Sequence, residues 1–260
     1  MDSTGLFDVS GKVAVVTGGS RGIGEMIARG LVTNGVRTYI TARKADACDV
    51  TAAELSALGE CISLPADLAT ADGLDAFVTA FSEREDHLDI LVNNAGAAWG
   101  APLGEFPAQG WDKVLDINMK APFLLTQALL PQLRAAADPD DPARVIMIGS
   151  IDGIRVPIGD NFSYSASKAG IHMLARHLAH FVVDDDITVN TIAPGPFESK
   201  MTAYMLDDAA TRDMVVRAVP RGRIGTPEDV AGTVIYLASR AGAFLTGALI
   251  PLDGGLSTHG

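Results

Sequence analysis

Tyr164 and Lys168 stand four residues apart at the head of a stretch in which apolar residues recur at helical spacing from Ile171 to Phe181, with Leu174, Leu178 and Phe181 along one face. On a helix such an i, i+4 pair shares one side, so a phenol and an ammonium would meet. A free phenol titrates near pH ~10, and an adjacent positive charge favours the phenolate and lowers that value. The pair is therefore a way to make a proton donor that works near neutrality. Four-residue spacing is also common among ordinary surface residues of helices, so the pair acquires meaning only from its surroundings.

A second chemistry-bearing pattern lies near the amino terminus. Residues 13–16 form a β-branched-rich run, as expected of a strand buried on both faces. The run leads into Thr17-Gly18-Gly19-Ser20-Arg21-Gly22-Ile23-Gly24 and then into a helical pattern through Ile27 and Leu31. Glycines at 18, 22 and 24 give a GxxxGxG spacing between a strand and a helix, where a pyrophosphate can approach the backbone and the helix N-terminus.

The elements that must position these residues alternate along the chain. Strands are expected over residues 36–41, 61–64, 88–92, 144–148, 187–192 and 248–252. Between them come helices through Leu58, over 74–81, over about 109–137 with Asn118 in its middle, from Tyr164 onward, and over 227–239. Asp138-Pro139-Asp140-Asp141-Pro142 breaks the chain before the fifth strand, and a variable helical section follows Pro194-Gly195-Pro196 over about residues 196–220. Strand–helix alternation without repeats or linkers predicts an α/β fold: a single Rossmann-type domain over 1–260 with a doubly wound parallel sheet and helices on both faces.

Composition narrows the function classes. A net charge of −12 argues against nucleic acid or an anionic membrane as the main partner. No apolar run is long enough to span a bilayer, and residues 1–11 lack a basic, apolar signal pattern. Cys48 and Cys61, outside any CxxC, suit a reducing compartment, so a cytoplasmic globule is expected. His177 and His180 are i, i+3 on a helix but lack a third ligand nearby, so no metal site is expected.

Together, residues 17–24, Asn93-Asn94-Ala95-Gly96, Asn118, Ser150, Tyr164 with Lys168, and Pro194-Gly195 resemble, in order and spacing, the short-chain dehydrogenase/reductase family over about residues 9–258. Within it the chain is most similar to the 3-oxoacyl-[acyl-carrier-protein] reductases. Thr41-Ala42-Arg43, Ala98-Trp99-Gly100 and Glu198-Ser199-Lys200-Met201-Thr202 carry much of that finer match. The resemblance implies a Rossmann fold, a homotetramer, and a nicotinamide lying above the carboxyl ends of the strands. It makes Tyr164 the proton donor, Lys168 the residue that binds the nicotinamide ribose and lowers the tyrosine pKa, Ser150 the holder of the reacting oxygen, and Asn118 the support of a water-linked proton path. Asn is a poor choice inside a helix, which adds modest physical support. Cofactor contacts are implied for Gly18, Ser20, Arg21, Gly22, Ile23, Gly24, Arg43, Asp67, Leu68, Asn94, Ala95, Gly96, Pro194, Gly195, Phe197 and Ser199, besides Tyr164 and Lys168.

Charge decides which cofactor is expected. An acidic residue after the second strand would bond a ribose 2′-hydroxyl and repel a 2′-phosphate. Here Tyr39-Ile40-Thr41-Ala42-Arg43-Lys44 contains no acid, and Arg21 and Arg43 can grip a phosphate from two sides, so NADP(H) is expected. The chain departs from the family pattern in two places. Ser150 and Tyr164 are 164 − 150 = 14 apart where 13 is more usual, an insertion that a surface loop should absorb, and Gly149 replaces a frequent second serine.

The expected reaction is hydride transfer from NADPH to the carbonyl of a 3-oxoacyl thioester or similar ketone. A keto-sugar or polyol enzyme is the alternative, and a non-catalytic cofactor-binding sensor or scaffold a third reading. Met201, Tyr204 and Met205 suit either an apolar substrate pocket or a core-covering helix, and Trp99 and Phe197 share that ambiguity. Docking of an acyl carrier protein is doubtful. Related reductases dock it with basic residues near the site mouth, and the expected places here read Asp138-Pro139-Asp140-Asp141-Pro142 and Asp184-Asp185-Asp186, with Arg144, Lys200 and Arg212 as the countervailing cations.

Overall fold

The computed structural model describes residues 5–258, except the side chains of residues 204 and 205. Seven strands form one parallel sheet: β1 (Val13–Thr17), β2 (Arg37–Thr41), β3 (Cys61–Ser63), β4 (Ile90–Asn93), β5 (Ala143–Ile148), β6 (Ile187–Pro194) and β7 (Leu249–Leu252). Their spatial order is β3-β2-β1-β4-β5-β6-β7, so the winding reverses between β1 and β4. In such sheets that switch point opens a crevice at the carboxyl ends of the strands. Strand pairing places Val16 beside both Ile40 and Val92, which brings the glycine turn after β1 next to the Asn93–Gly96 segment after β4.

Alternation along β1 sorts the core into two layers. Ala14 and Val16 face a cluster built with Ile27 and Leu31 of α1 (Gly22–Thr33), Cys48 and Leu55 of α2 (Ala45–Leu55), and Val230, Val234 and Leu237 of α10 (Pro227–Ala238). Val13 and Val15 face the other cluster, with Phe77 and Phe81 of α3 (Ala71–Ser82), Leu125 of α5 (Ala121–Ala128), Leu133 of α6 (Leu130–Ala136), and Ile171, Ala175 and Ala179 of α7 (Phe162–Val182). Helices therefore cover both faces, as expected of strands apolar on both sides.

Three expectations need correction. The long helix expected over residues 109–137 is broken: α4 (Ala108–Leu115) passes through a π-helical turn, Asp116–Lys120, into α5, and Leu129 (ψ 6°) separates α5 from α6. Pro122 and Pro131, which lack an N–H, fall in the first turns of the new segments, where that donor is not needed. The buried stripe of α7 is Ile171, Ala175, Ala179 and Val182; Leu174 and Leu178 flank it, and Phe181 is 70% exposed. Small alanines let the helix lie close to the sheet, and residue size misleads a hydrophobicity pattern on that point.

The third correction concerns charge. The acidic turns at 138–142 and 184–186 immediately precede β5 and β6, whose first residues Ala143 and Ile187 are paired. Within this chain they lie at the amino edge of the sheet, opposite the crevice. Arg144 is 1% exposed there, donating from Nε to the Leu237 carbonyl (2.9 Å) and from Nη2 to the Ser239 carbonyl (3.1 Å) and Asp141 (3.0 Å). It closes the carboxyl end of α10 and offers no docking charge.

Helices α8 (Ala203–Leu206) and α9 (Ala209–Ala218) form the variable section, held to the body by a bridge between Phe197 and Gly225.

Candidate active site

The first residues of α7 lie beside the carboxyl ends of β4 and β5. Lys168 is 5% exposed, and its Nζ donates to the Ile148 carbonyl at 2.7 Å, two residues before Ser150. The same ammonium lies 5.6 Å from the centroid of the Tyr164 ring, so the i, i+4 pairing expected of the helix is realised. Burial lowers the Lys168 pKa from 10.5 to about 8, because removing an ammonium from water disfavours its charged form.

Asn118 occupies the π-helical turn, and that irregularity explains how an asparagine sits there: the extra residue per turn turns its side chain away from the regular helix pattern. Its Oδ1 accepts from Ala97 N (2.9 Å), and its Nδ2 donates to Ala97 O (3.0 Å) and Ser167 Oγ (2.9 Å). Ser167 in turn donates to the Tyr164 carbonyl at 2.7 Å. Asn118 thereby links the segment after β4 to the first turn of α7. Ser167 was not among the expected residues; its position one before Lys168, on the buried side of the helix, is the signal that marks it.

Ser150 is buried at the end of β5, with extended backbone and its Oγ accepting from Asp152 N at 3.1 Å. The short 3-10 turn that follows packs against α7 at Lys168: a Cβ added to Gly153 would stand 2.6 Å from the Lys168 carbonyl carbon. The extra residue between Ser150 and Tyr164 is taken up in the surface loop, where Val156 and Ile158 are fully exposed.

On the other side of the crevice, Gly18 (φ +66°) and Gly22 (φ +55°) adopt left-handed backbone that favours glycine. A Cβ on Gly24 would collide with the Gly18 carbonyl, so the turn folds back on itself. Thr17 Oγ1 accepts from both Asn94 N and Ala95 N at 2.9 Å, and Asn94 Nδ2 donates to Thr17 O at 2.8 Å, fastening the glycine turn to the Asn94-Ala95-Gly96 segment. Gly96 faces Asn118, its hypothetical Cβ 3.2 Å from Oδ1. Ser199 lies across Gly22, where an added Cβ would be 3.0 Å from the serine Cβ, and Gly195 lies against Asp253.

Helix α1 begins without any side-chain cap, which leaves the amides of its first turn for an anion. Arg21 and Arg43 are exposed, and neither makes an ion pair among the described residues. Ser20 is half-buried, and its carbonyl accepts from Thr51. Glycines shaped for close approach, uncapped amides and two uncommitted guanidiniums fit a phosphate-bearing dinucleotide.

Other expected residues have different tasks. Ile23 packs into the core beneath the turn, Leu68 is buried beneath α3, and Asp67 accepts from Ala69 N. Phe197 is buried under Gly225, so its ring is core and only its main chain can face a ligand. Trp99 packs on Gly110 of α4 with Lys113 Nζ 5.2 Å from its ring. Met201 is 41% exposed on the covering section, whereas the side chains of Tyr204 and Met205 lie outside the described residues. That section carries an open pocket of about 380 Å³ whose lining includes Glu198, Ser199, Lys200, Leu206, Asp207 and Arg212. His177 and His180 flank the Phe181 ring on the outer side of α7.

Comparison with known proteins gives the family. A family model described as enoyl-(acyl carrier protein) reductase matches residues 18–257. The chain is 47% identical over 249 residues to the rhamnolipids biosynthesis 3-oxoacyl-[acyl-carrier-protein] reductase of Pseudomonas aeruginosa, covering 96% of this chain and 97% of that protein. It is 34% identical to the 2-dehydro-3-deoxy-D-gluconate 5-dehydrogenase of Escherichia coli, covering 96% of each. The solved RhlG/NADP active-site complex of Pseudomonas aeruginosa superposes with a TM-score of 0.95 at 47% identity, over 97% of this chain and 99% of that one. The chain belongs to the short-chain dehydrogenase/reductase family.

Proposed function

We propose that this protein is an NADPH-dependent carbonyl reductase that converts a 3-oxoacyl thioester or a similar ketone to the 3-hydroxy product. The observation that carries the reading is the buried Lys168 ammonium held between the Ile148 carbonyl and the Tyr164 ring. A charge so costly to bury has a use where a neighbouring phenol must lose and regain a proton.

NADPH, when bound, supplies a hydride donor; the glycine turn, the α1 amides, Arg21 and Arg43 are the groups that would hold it. Ser150 orients the substrate carbonyl through its hydroxyl. Tyr164 delivers its phenolic proton to the carbonyl oxygen as negative charge develops there. Lys168 stabilises the resulting phenolate, and Asn118 holds the chain around the path by which the proton is replaced. Relatedness at 34% identity to a protein named 2-dehydro-3-deoxy-D-gluconate 5-dehydrogenase supports a keto-sugar, polyol or other small ketone as the second substrate reading.

The finer assignment concerns the acyl carrier. With a net charge of −12, the protein repels an acidic carrier protein at long range. On the covering section Arg212 is already paired with Glu198 at 2.5 Å, which leaves Lys200 lining the same pocket as Asp207. Free or coenzyme-A-linked 3-oxo substrates are therefore the better substrates. Consumption of NADPH against a panel of 3-oxoacyl-coenzyme A, the same chain on carrier protein, and keto-sugar acids tests the reading. A higher kcat/KM on the carrier-linked chain, weakening with salt, overturns the carrier assignment; activity on keto-sugar acids alone overturns the acyl assignment.

A homotetramer in the cytoplasm completes the reading. Exposed Met173 and Phe181 on α7 and Phe123 on α5 supply apolar surface that further copies of the chain would cover. No helix among the described residues is long and apolar enough to cross a membrane.

A further inference from the structure

One buried titratable side chain near the site has no part in the scheme above. His172 follows Lys168 by one helical turn, is 7% exposed, and sits directly beneath the turn that presents Ser150. The Ser150 backbone N–H points at its Nε2 at 3.4 Å, and its ring also makes a hydrogen bond with the Gly153 backbone. Those two contacts reach the two ends of the Ile151–Gly153 turn.

The backbone around the ring is shaped to admit it. A Cβ on Gly149 would collide with Nε2, and one on Gly153 would stand 2.7 Å from Cε1. Neither glycine has a positive φ, so conformational freedom does not explain them; room for the imidazole explains Gly149, and the close approach of both the α7 backbone and the imidazole explains Gly153. Gly149 is thus explained as the partner of His172, rather than as a lost second serine.

The ring is fixed as a neutral acceptor. Burial, followed by the positive charges of Lys168 and Arg176, lowers its pKa from 6.5 to about 4. A neutral imidazole donates from one nitrogen and accepts at the other. The geometry then has it donate to the Gly153 carbonyl and accept from Ser150 N–H.

We infer that His172 is a positioning residue: it staples both ends of the Ser150 turn to α7 and so fixes the serine hydroxyl relative to Tyr164. The inference rests on the reading of Ser150 as the group that orients the carbonyl. It is testable because the bonds and the volume of the side chain can be separated. His172→Leu keeps an apolar filler and removes both bonds, whereas His172→Gln keeps a donor and an acceptor at similar reach.

His172→Leu should lower kcat about ten- to a hundredfold, the range for a group displaced by roughly an ångström, with the Kd for NADPH unchanged. His172→Gln should recover kcat to within about threefold of the parent. In a Ser150→Ala background, His172→Leu should cost less than about twofold, because the residue acts through the serine. If Leu is tolerated better than Gln, or if the cost is as large without the serine as with it, His172 is only core packing and the inference is wrong. If Ser150→Ala itself leaves kcat intact, the proposed function fails instead. Should His172→Leu not fold, Gly149→Ala carries the test from the other side: its Cβ displaces the ring, so kcat should fall with NADPH binding unchanged. A folded Gly149→Ala protein with parental kcat overturns the inference.

Discussion

Replacing Lys168 with Met should make the protein more stable while lowering its activity. The ammonium is almost wholly buried, and its pKa falls from 10.5 to about 8 on folding. A depression of that size corresponds to about 3 kcal/mol of destabilisation borne by the folded state whenever the lysine is charged. The cost is fully present below pH ~8 and fades as pH rises toward ~10.5, because over that interval the unfolded chain binds the extra proton. Met keeps the length and volume of the side chain, but the Ile148 carbonyl loses its donor at 2.7 Å, which returns about 1–2 kcal/mol. The net gain at pH 7 is about 1–2 kcal/mol, or a rise in Tm of about 2–4 °C for a domain of this size. Thermal unfolding of the cofactor-free protein measures it, since bound nucleotide would stabilise the folded state separately. The advantage of the Met variant should be largest near pH 7 and shrink by pH ~10. An unchanged or lowered Tm at pH 7, or a difference that does not vary with pH, refutes the claim that burial of the charge is what perturbs this lysine.

Two further substitutions separate proton transfer from cofactor choice. Tyr164→Phe should abolish measurable turnover while NADPH affinity and the circular dichroism spectrum stay close to those of the parent, since only the proton donor is removed. In the reverse reaction, oxidation of the alcohol should rise with pH as the phenol ionises. Lys168→Met should move that rise upward, and an unmoved profile would show that Lys168 does not tune the tyrosine. Arg43→Ala should weaken NADPH binding about thirtyfold and NADH binding little, since a charge-assisted contact to a 2′-phosphate is worth about 2 kcal/mol; equal losses on both cofactors would remove Arg43 from that role.

The sheet was legible in the sequence because its strands are uniformly apolar and its helices intervene at regular intervals. The run at 13–16, the glycine spacing after it and the Tyr164–Lys168 pair each carry a local signal that the fold then juxtaposes. What was not legible depends on contacts distant in sequence. The π-helical turn at Asn118 follows from side-chain bonds to Ala97 and Ser167, 21 and 49 residues away, which no helical periodicity encodes. Arg144 reads as a free surface cation until the carboxyl end of α10, more than 90 residues on, is brought against it. The acidic turns were expected near the site because related reductases dock a carrier protein at those places, whereas strand direction within this chain puts them at the other edge of the sheet. His172 had a signal, a polar residue on the stripe of Ile171, Ala175 and Ala179, but its partner is a turn that sequence alone does not place.

The site is assembled mainly from side chains bonded to main chain. Asn118 grips both backbone groups of Ala97, Lys168 grips the Ile148 carbonyl, His172 receives the Ser150 N–H, and Thr17 receives the amides of Asn94 and Ala95. Each bond ties a helix or strand to the segment leaving the carboxyl end of another strand, so the crevice is fastened at β4 and β5 independently of what fills it. Backbone groups cannot rotate away as side chains can, and such contacts fix geometry at little cost in side-chain entropy. The cover is built differently. Its side-chain bonds run within itself, from Thr202 to Phe197 and Ser199 and from Arg212 to Glu198, and the body meets it at the Phe197–Gly225 bridge, at Gly22, and where Val219 packs on Ile151 and Leu256. A frame for Tyr164 and Lys168 fastened through main chain thus stands beside a cover whose polar bonds are mostly its own, with Val219 on Ile151 the place where a change in the cover would reach the Ser150 turn. Relatives named for acyl and for sugar-acid substrates match this chain over nearly its whole length, so a difference of substrate between them calls for different side chains around one frame rather than for a different frame.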